Sequence, residues 1–187
     1  LQIIPNAASI ENLAREVKDN GGVYIVPAFS GLFAPYWRPD ARGVIVGLTR
    51  FANRKHLARA VLESTAYQTR DVADAMVADS GVEITELRVD GGMTMNELLM
   101  QFQSDILGVE VHRPKNIETT ATGAAFAAGL DHGFWDDLSV LGSQTGDMKV
   151  FKPKRDKEEV EGLYRDWKRA IKRSLDWEDN EDEDLNI

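Results

Sequence analysis

The chain has 187 residues, 43% of them hydrophobic, with a net charge of −9 and no cysteine, which suits one soluble globular domain with its own core. The missing cysteines exclude disulfide scaffolds, thiolate catalysis and cysteine-based zinc sites, and the negative charge disfavours binding to nucleic acid. No apolar run reaches the roughly 18 residues that a membrane span needs, so a cytoplasmic protein without such a span is predicted.

The first part of the chain alternates between helical and strand patterns. Residues 1–22 are interpreted as a short leading helix with its connection, and β-rich apolar runs predict strands at 23–26 and 44–48. The aromatic loop 30–43 between these strands lines a ligand or partner surface, or is an ordered loop of the core. Asn53 is the predicted N-cap of a long helix that runs to about residue 79 and stops at the following serine and glycine.

The second part of the chain continues the alternation. The predicted elements are a strand at 87–89, a helix at 96–107, a strand at 109–112, a helix at 120–132, a strand at 148–151 and a helix at 156–177. The main domain is therefore assigned to residues 23–177, with an α/β layered fold. Residues 178–187 are acidic and are predicted to form a disordered tail.

The strongest local signal is the turn at Asp90, Gly91 and Gly92, which follows a strand and leads into the helix containing Asn96. Glycine has no Cβ, so the backbone can approach a ligand closely, and the helix N-terminus is expected to offer free N–H groups to an anion. The turn matches neither of the common glycine-rich phosphate motifs. A nucleotide site is one interpretation of the turn, and an ordinary strand-to-helix turn is the other.

Small residues recur in the helix around Gly123. Such a surface either packs tightly against another element or forms a wall of a nucleotide pocket, and the sequence does not separate the two. The histidines His56, His112 and His132 have no spacing typical of metal ligands, so no metal site is predicted. No serine lies in a hydrolase elbow, and no residue stands out as a catalytic base, so no catalytic residue is assigned.

Several long strings together resemble one family, the glycerol kinases, which belong to the FGGY carbohydrate kinases. The matching strings are residues 26–32, 34–37, 41–43, 47–50, 63–64, 66–71, 88–92, 99–105 and 123–125. The resemblance covers residues 22–178.

This resemblance implies the second, ATP-side domain of a ribonuclease-H-like fold of the actin, Hsp70 and sugar-kinase superfamily, lacking its first strands. It implies that Gly91, Gly92 and Asn96 bind the nucleotide, with Asp90 and Gly123 as walls of the pocket. The expected ligand is ATP or ADP with Mg²⁺, the metal being held mainly by the nucleotide and by residues outside this chain. The catalytic residues and most of the glycerol pocket are expected in an N-terminal half.

The resemblance further implies transfer of the ATP γ-phosphoryl group to glycerol, giving glycerol 3-phosphate and ADP. The chain alone is expected to be inactive, with the N-terminal half of the same enzyme as its partner and a homo-oligomer as its assembly. Three alternatives stay open at this stage. They are another FGGY kinase acting on xylulose or gluconate, a non-catalytic actin-like or Hsp70-like ATP-binding module, and an interaction domain that binds no nucleotide.

Overall fold

A computed structural model describes residues 4–137 and 147–178. Within these two ranges the helices, numbered in chain order, are α1 (Ile10–Arg15), α2 (Arg54–Ser80), α3 (Glu97–Leu107), α4 (Thr119–Asp131) and α5 (Lys157–Ser174). Five strands are β1 (Tyr24–Val26), β2 (Val44–Val46), β3 (Glu86–Arg88), β4 (Glu110–Pro114) and β5 (Met148–Phe151). Short 3-10 helices cover Ala7–Ser9 and Gly92–Met95. The predicted order of elements and the α/β class are confirmed.

The strands form two small sheets. β1 pairs antiparallel with β2, Tyr24 opposite Val46. β4 is the central strand of the other sheet, parallel to β3 and antiparallel to β5. A parallel pair needs a crossover connection, and α3 supplies it between β3 and β4.

Polar caps and glycines set the helix boundaries. Asn53 Oδ1 accepts the backbone N–H of Lys55 at 2.9 Å, and Asn53 N donates to His56 Nδ1 at 3.2 Å, so both partners of a capping box are present at the start of α2. Gly81 ends α2 with a φ of +68°, a left-handed conformation that glycine adopts without a steric penalty. The predicted start and end of this helix are confirmed.

The last helix ends earlier than predicted. α5 stops at Ser174 rather than at residue 177, and Leu175 is already extended. Asp40 explains this end, because its carboxylate accepts the N–H of Asp176 at 2.6 Å and its carbonyl accepts the N–H of Glu178 at 3.2 Å. These bonds direct residues 176–178 toward the loop between β1 and β2, so the helix cannot continue. The remainder of the predicted tail, residues 179–187, lies outside the described residues.

An aromatic stack joins α2, α3 and α5 in the core. The rings of Tyr67 and Trp167 are stacked with centroids 5.2 Å apart, and Phe102 meets Tyr67 edge-on at 5.4 Å. All three side chains are buried. Aromatic pairs in these arrangements contribute beyond the burial of their area, so this stack is the centre of the core.

A buried carboxylate lies beside the aromatic stack. Asp71 on α2 accepts Tyr164 OH at 2.6 Å, Trp167 Nε1 at 2.8 Å and Lys168 Nζ at 2.7 Å. Lys168 Nζ also donates to the hydroxyl of Tyr36 at 2.8 Å. Burial, and secondarily the Asp71 charge, raises the pKa of the Tyr36 hydroxyl, so this group remains a neutral partner of the lysine.

The loop between β1 and β2 is an ordered part of the core, and its role as a ligand or partner surface stays a prediction. Leu32 is buried and Tyr36 packs against the core, as an ordered core loop requires. Phe29, Phe33 and Trp37 are exposed, so the same loop also carries an aromatic surface. Among the described residues, no helix is long and apolar enough to cross a membrane.

The Asp71 cluster predicts a large difference between two aspartates of α2. In the full-length protein, Asp71→Ala leaves two buried donors, Tyr164 OH and Trp167 Nε1, without their acceptor and should lower the free energy of unfolding by about 3 kcal/mol. The matched control Asp74→Ala removes an exposed carboxylate 3.6 Å from Arg70 and should cost less than about 0.5 kcal/mol. Urea unfolding measures both, and equal losses would contradict this role for Asp71.

Candidate nucleotide-binding site

The turn after β3 is held by backbone hydrogen bonds. Val89 N donates to His112 O at 3.0 Å, and Gly91 N donates to Ile117 O at 2.9 Å. Gly91 O accepts both the N–H of Thr94, at 3.1 Å, and its hydroxyl, at 2.7 Å. These hydrogen bonds hold the turn in one conformation without the help of a ligand.

The two glycines of the turn leave their surface open. Gly91 has φ +84° and ψ 170°, a region that is essentially restricted to glycine. A Cβ built on Gly91 or on Gly92 would meet no atom within 4 Å. The glycines are thus not required by close packing of the protein against itself, and a ligand has room to approach this backbone.

Asn96 is the N-cap of α3. Its Oδ1 accepts the N–H of Leu99 at 2.9 Å, while its Nδ2 has no hydrogen-bond partner among residues 4–137 and 147–178. One end of the amide therefore positions the helix and the other end remains available to a ligand.

The expectation of free N–H groups at the start of α3 is wrong. Glu11 on α1 accepts the N–H of Glu97 at 3.3 Å and the N–H of Leu98 at 3.1 Å, and Asn96 takes the N–H of Leu99. A carboxylate supplied by the protein thus occupies the positive end of this helix. An anion cannot bind those N–H groups unless Glu11 moves.

Two cavities flank the turn and divide the predicted residues between them. A cavity of about 580 Å³ is bordered by Gly92 and Asn96, together with Glu11. A cavity of about 360 Å³ is bordered by Asp90 and Gly123. Both volumes fall in the range of about 300–1,000 Å³ that is typical of small-molecule sites. Gly91 lies between the two sets of residues and borders neither cavity.

The small residues of α4 have two different environments. At Gly129, a Cβ would lie 2.1 Å from a ring atom of Trp135, so tight packing explains this glycine. At Gly123, a Cβ would meet no atom of the described residues within 4 Å, and the position borders the smaller cavity. Asp90 is joined to α4 through a hydrogen bond from the hydroxyl of Thr119.

Charged side chains that sequence reasoning missed stabilise the far side of the turn. Arg113 on β4 is buried and donates from Nη1 to the carbonyl of Thr94 at 2.6 Å. Its Nη2 lies 3.6 Å from Glu97 Oε1, which also pairs with Lys149. The hydrogen bond and charge of Lys149 lower the pKa of the Glu97 carboxyl. A strand arginine followed by Pro114 carries no local signal of such a role.

Comparison with known proteins places this geometry in a family. The profile described as the FGGY family of carbohydrate kinases, C-terminal domain, matches residues 4–131. The chain belongs to the FGGY family of carbohydrate kinases. The matched residues include the whole glycine turn, the cavity of about 580 Å³ and all of the described lining of the smaller cavity except Met148.

Curated relatives and solved structures agree with this membership. The chain is 69% identical over 183 residues to a glycerol kinase of Corynebacterium kroppenstedtii, covering 98% of this chain and 36% of that protein. It is 64% identical over 181 residues to a glycerol kinase of Pseudarthrobacter chlorophenolicus, and this match covers 97% of this chain and 36% of that protein. The chain therefore spans about a third of the length of these FGGY relatives.

A solved structure of Plasmodium falciparum glycerol kinase with ADP superposes with a TM-score of 0.83 at 38% identity, over 93% of this chain and 35% of that one. A xylulose kinase of Lactobacillus acidophilus superposes with a TM-score of 0.73 at 24% identity, over 93% of this chain and 37% of that one. At that identity the likeness supports the fold alone. The ribonuclease-H-like α/β fold of the actin, Hsp70 and sugar-kinase superfamily and the resemblance to glycerol kinases are confirmed. The ligand contacts of Asp90, Gly91, Gly92, Asn96 and Gly123 stay predictions.

The two glycines of this FGGY turn should respond differently to alanine. In the full-length protein, Gly91→Ala forces a side chain into a glycine-only conformation and should cost about 1–3 kcal/mol of folding free energy. Gly92→Ala has room and no positive φ, so it should be neutral within about 0.5 kcal/mol. Thermal and urea unfolding test this difference. A stable Gly91→Ala protein would mean that the turn tolerates another conformation.

Proposed function

We propose that this chain is the nucleotide-binding, C-terminal part of a glycerol kinase, which transfers the γ-phosphoryl group of ATP to glycerol and produces glycerol 3-phosphate and ADP. The supporting observation is the 69% identity to a glycerol kinase over 98% of the chain. The substrate pocket and the catalytic residues are assigned to the part of the full-length enzyme outside this chain. Alone, the chain should be inactive.

The nucleotide site is proposed at the turn, with Gly91, Gly92 and Asn96 as the residues in contact. The fit rests on three features of the described residues: the open surface over both glycines, the Asn96 Nδ2 that has no partner among them, and the cavity of about 580 Å³ that Gly92 and Asn96 share. Asp90 and Gly123 contribute a further wall through the smaller cavity. Both cavities can admit parts of a nucleotide, which is an elongated ligand.

The part played by these residues in the reaction is to bind and orient. When bound, Mg-ATP would supply the phosphoryl group to be transferred and a cation that offsets phosphate charge. In phosphoryl transfer, catalysis comes mainly from positioning and electrostatic stabilisation. The backbone of Gly92 and the amide of Asn96 would hold the nucleotide, and the rigid turn would keep it in place while a hydroxyl of glycerol approaches.

Magnesium is assigned to the nucleotide phosphates and to residues outside this chain. Among residues 4–137 and 147–178, no group of three or more His, Cys, Asp or Glu side chains could hold a metal ion. We further expect the full-length enzyme to work in the cytoplasm as a homo-oligomer, with its N-terminal half covering the ATP-side domain.

The proposed contact of Asn96 can be tested without disturbing the helix cap. Asn96→Ser keeps an oxygen that caps α3 but removes the Nδ2 donor. In the full-length enzyme the KM for ATP should rise about three- to tenfold, the effect of one hydrogen bond, while the KM for glycerol stays unchanged. Steady-state kinetics with each substrate varied in turn measure both constants.

Asn116→Ser makes the same substitution in the smaller cavity, which Asn116 borders while donating to Thr122 Oγ1 at 2.9 Å. A raised KM for ATP in this variant, together with an unchanged value in Asn96→Ser, would move the nucleotide contact to the smaller cavity and contradict the proposal.

The substrate is tested on the full-length enzyme with ATP and a panel of glycerol, xylulose and gluconate. Glycerol should give a kcat/KM at least about 100-fold above the other two, because a site built to hydrogen-bond one polyol rejects those that leave its groups unpaired. Preference for xylulose or gluconate would make the protein another FGGY kinase. Slow ATP hydrolysis with no dependence on any polyol would indicate a non-catalytic ATP-binding module.

A further inference from the structure

Glu11 joins α1 to the start of α3 across a long stretch of sequence. Its two carboxylate oxygens accept the N–H of Glu97 at 3.3 Å and of Leu98 at 3.1 Å, and its side chain is 20% exposed. The first N–H groups of a helix carry its positive partial charge, so a carboxylate there is both a hydrogen-bond acceptor and a favourable charge.

Arg15 holds the Glu11 carboxylate in position. Arg15 Nε and Nη2 both donate to Glu11 Oε1, at 2.9 and 2.5 Å. This two-pronged contact restrains the side chain and balances its charge. Oε2 makes one described contact, the N–H of Glu97. The arrangement therefore attaches α1 rigidly to the first turn of α3.

That first turn carries the proposed nucleotide contact. Asn96 is the N-cap immediately before Glu97, and Glu11, Gly92 and Asn96 border the same cavity of about 580 Å³. Any rotation or fraying of the turn would displace the free Nδ2 of Asn96. We infer that Glu11 is a positioning residue for the nucleotide, which fixes the Asn96 amide by holding the turn that carries it. The inference rests on the proposed function.

Glu11 would also prevent the phosphates from binding at the start of α3. Its carboxylate occupies the N–H groups at the start of α3 that would otherwise attract an anion, so these groups are not open to a phosphate. The phosphates are then left to the open backbone of Gly91 and Gly92. A neutral residue at position 11 would expose the helix end as a competing anion site and loosen Asn96 at the same time.

The test compares two glutamates of the same helix region in the full-length enzyme. Glu11→Ala should raise the KM for ATP about three- to tenfold, as expected for loss of a cap, and leave the KM for glycerol unchanged. Glu16→Ala is the matched control, because Glu16 is exposed, pairs with Lys55 at 2.6 Å and touches neither the turn nor α3. It should leave both constants unchanged.

Chemical rescue separates positioning from general stability. Acetate can enter the gap in Glu11→Ala and accept the N–H groups of Glu97 and Leu98, so it should lower the raised KM for ATP, whereas equal sodium chloride should not. Acetate should have no such effect on the wild-type enzyme. Glu11→Gln keeps one carbonyl acceptor and should give an intermediate KM for ATP.

Three outcomes overturn the inference. They are an unchanged KM for ATP in Glu11→Ala, a parallel rise in both Michaelis constants, and a raised KM for ATP that acetate does not lower. Failure of the proposed function is seen separately, since a wild-type enzyme that does not phosphorylate glycerol fails before any variant is compared. An active wild-type enzyme with an insensitive Glu11→Ala variant refutes the positioning role alone.

Discussion

The carboxylate of Asp71 is the interaction on which the packing of this domain depends. An ionised carboxylate is very costly to bury unless donors surround it, and Asp71 is surrounded by Tyr164, Trp167 and Lys168 from a single helix. Because these donors stand at positions i, i+3 and i+4, they share one face of α5 and together fix how this helix docks on α2. Lys168 extends the same constraint to Tyr36 and so fixes the loop between β1 and β2. The aromatic stack contributes buried apolar area, and the Asp71 carboxylate restricts the orientation of α5 against α2.

Local features of the sequence predicted most element boundaries, since the residues that set them act over three or four positions. Asn53, Gly81, Asn96 and Gly108 all mark ends that the structure confirms. The end of α5 could not be predicted in this way. It depends on Asp40, which is 136 residues away from Asp176 in the chain. A cap residue is visible in a sequence, whereas a distant side chain that competes for the backbone is not.

The candidate site also combines features that local sequence predicts with contacts between distant parts of the chain that it does not predict. The turn at Gly91 and Gly92 was located from glycine chemistry and from the strand before it, and both glycines have open space above them. The error about free N–H groups came from treating α3 as isolated. Glu11 and Arg15 form an ordinary i, i+4 pair on a short helix, a pattern usually found on solvated surfaces. Nothing local reveals that the pair caps a helix that lies 86 residues further on.

The nucleotide proposed for this site is anionic and the chain is acidic, so the site must limit electrostatic repulsion. The net charge is −9, yet two carboxylates beside the turn are paired with cations, and Asp90 in the turn accepts a hydrogen bond from the hydroxyl of Thr119. Glu97 is paired with Lys149 and lies near Arg113, and Glu11 is held by Arg15. The cavity has mainly apolar walls, and besides the paired Glu11 carboxylate its polar groups include the Gly92 backbone and the Asn96 amide. Such groups bind a nucleotide through geometry rather than net charge, so small shifts of the α3 turn should matter more than added lysines elsewhere on the surface.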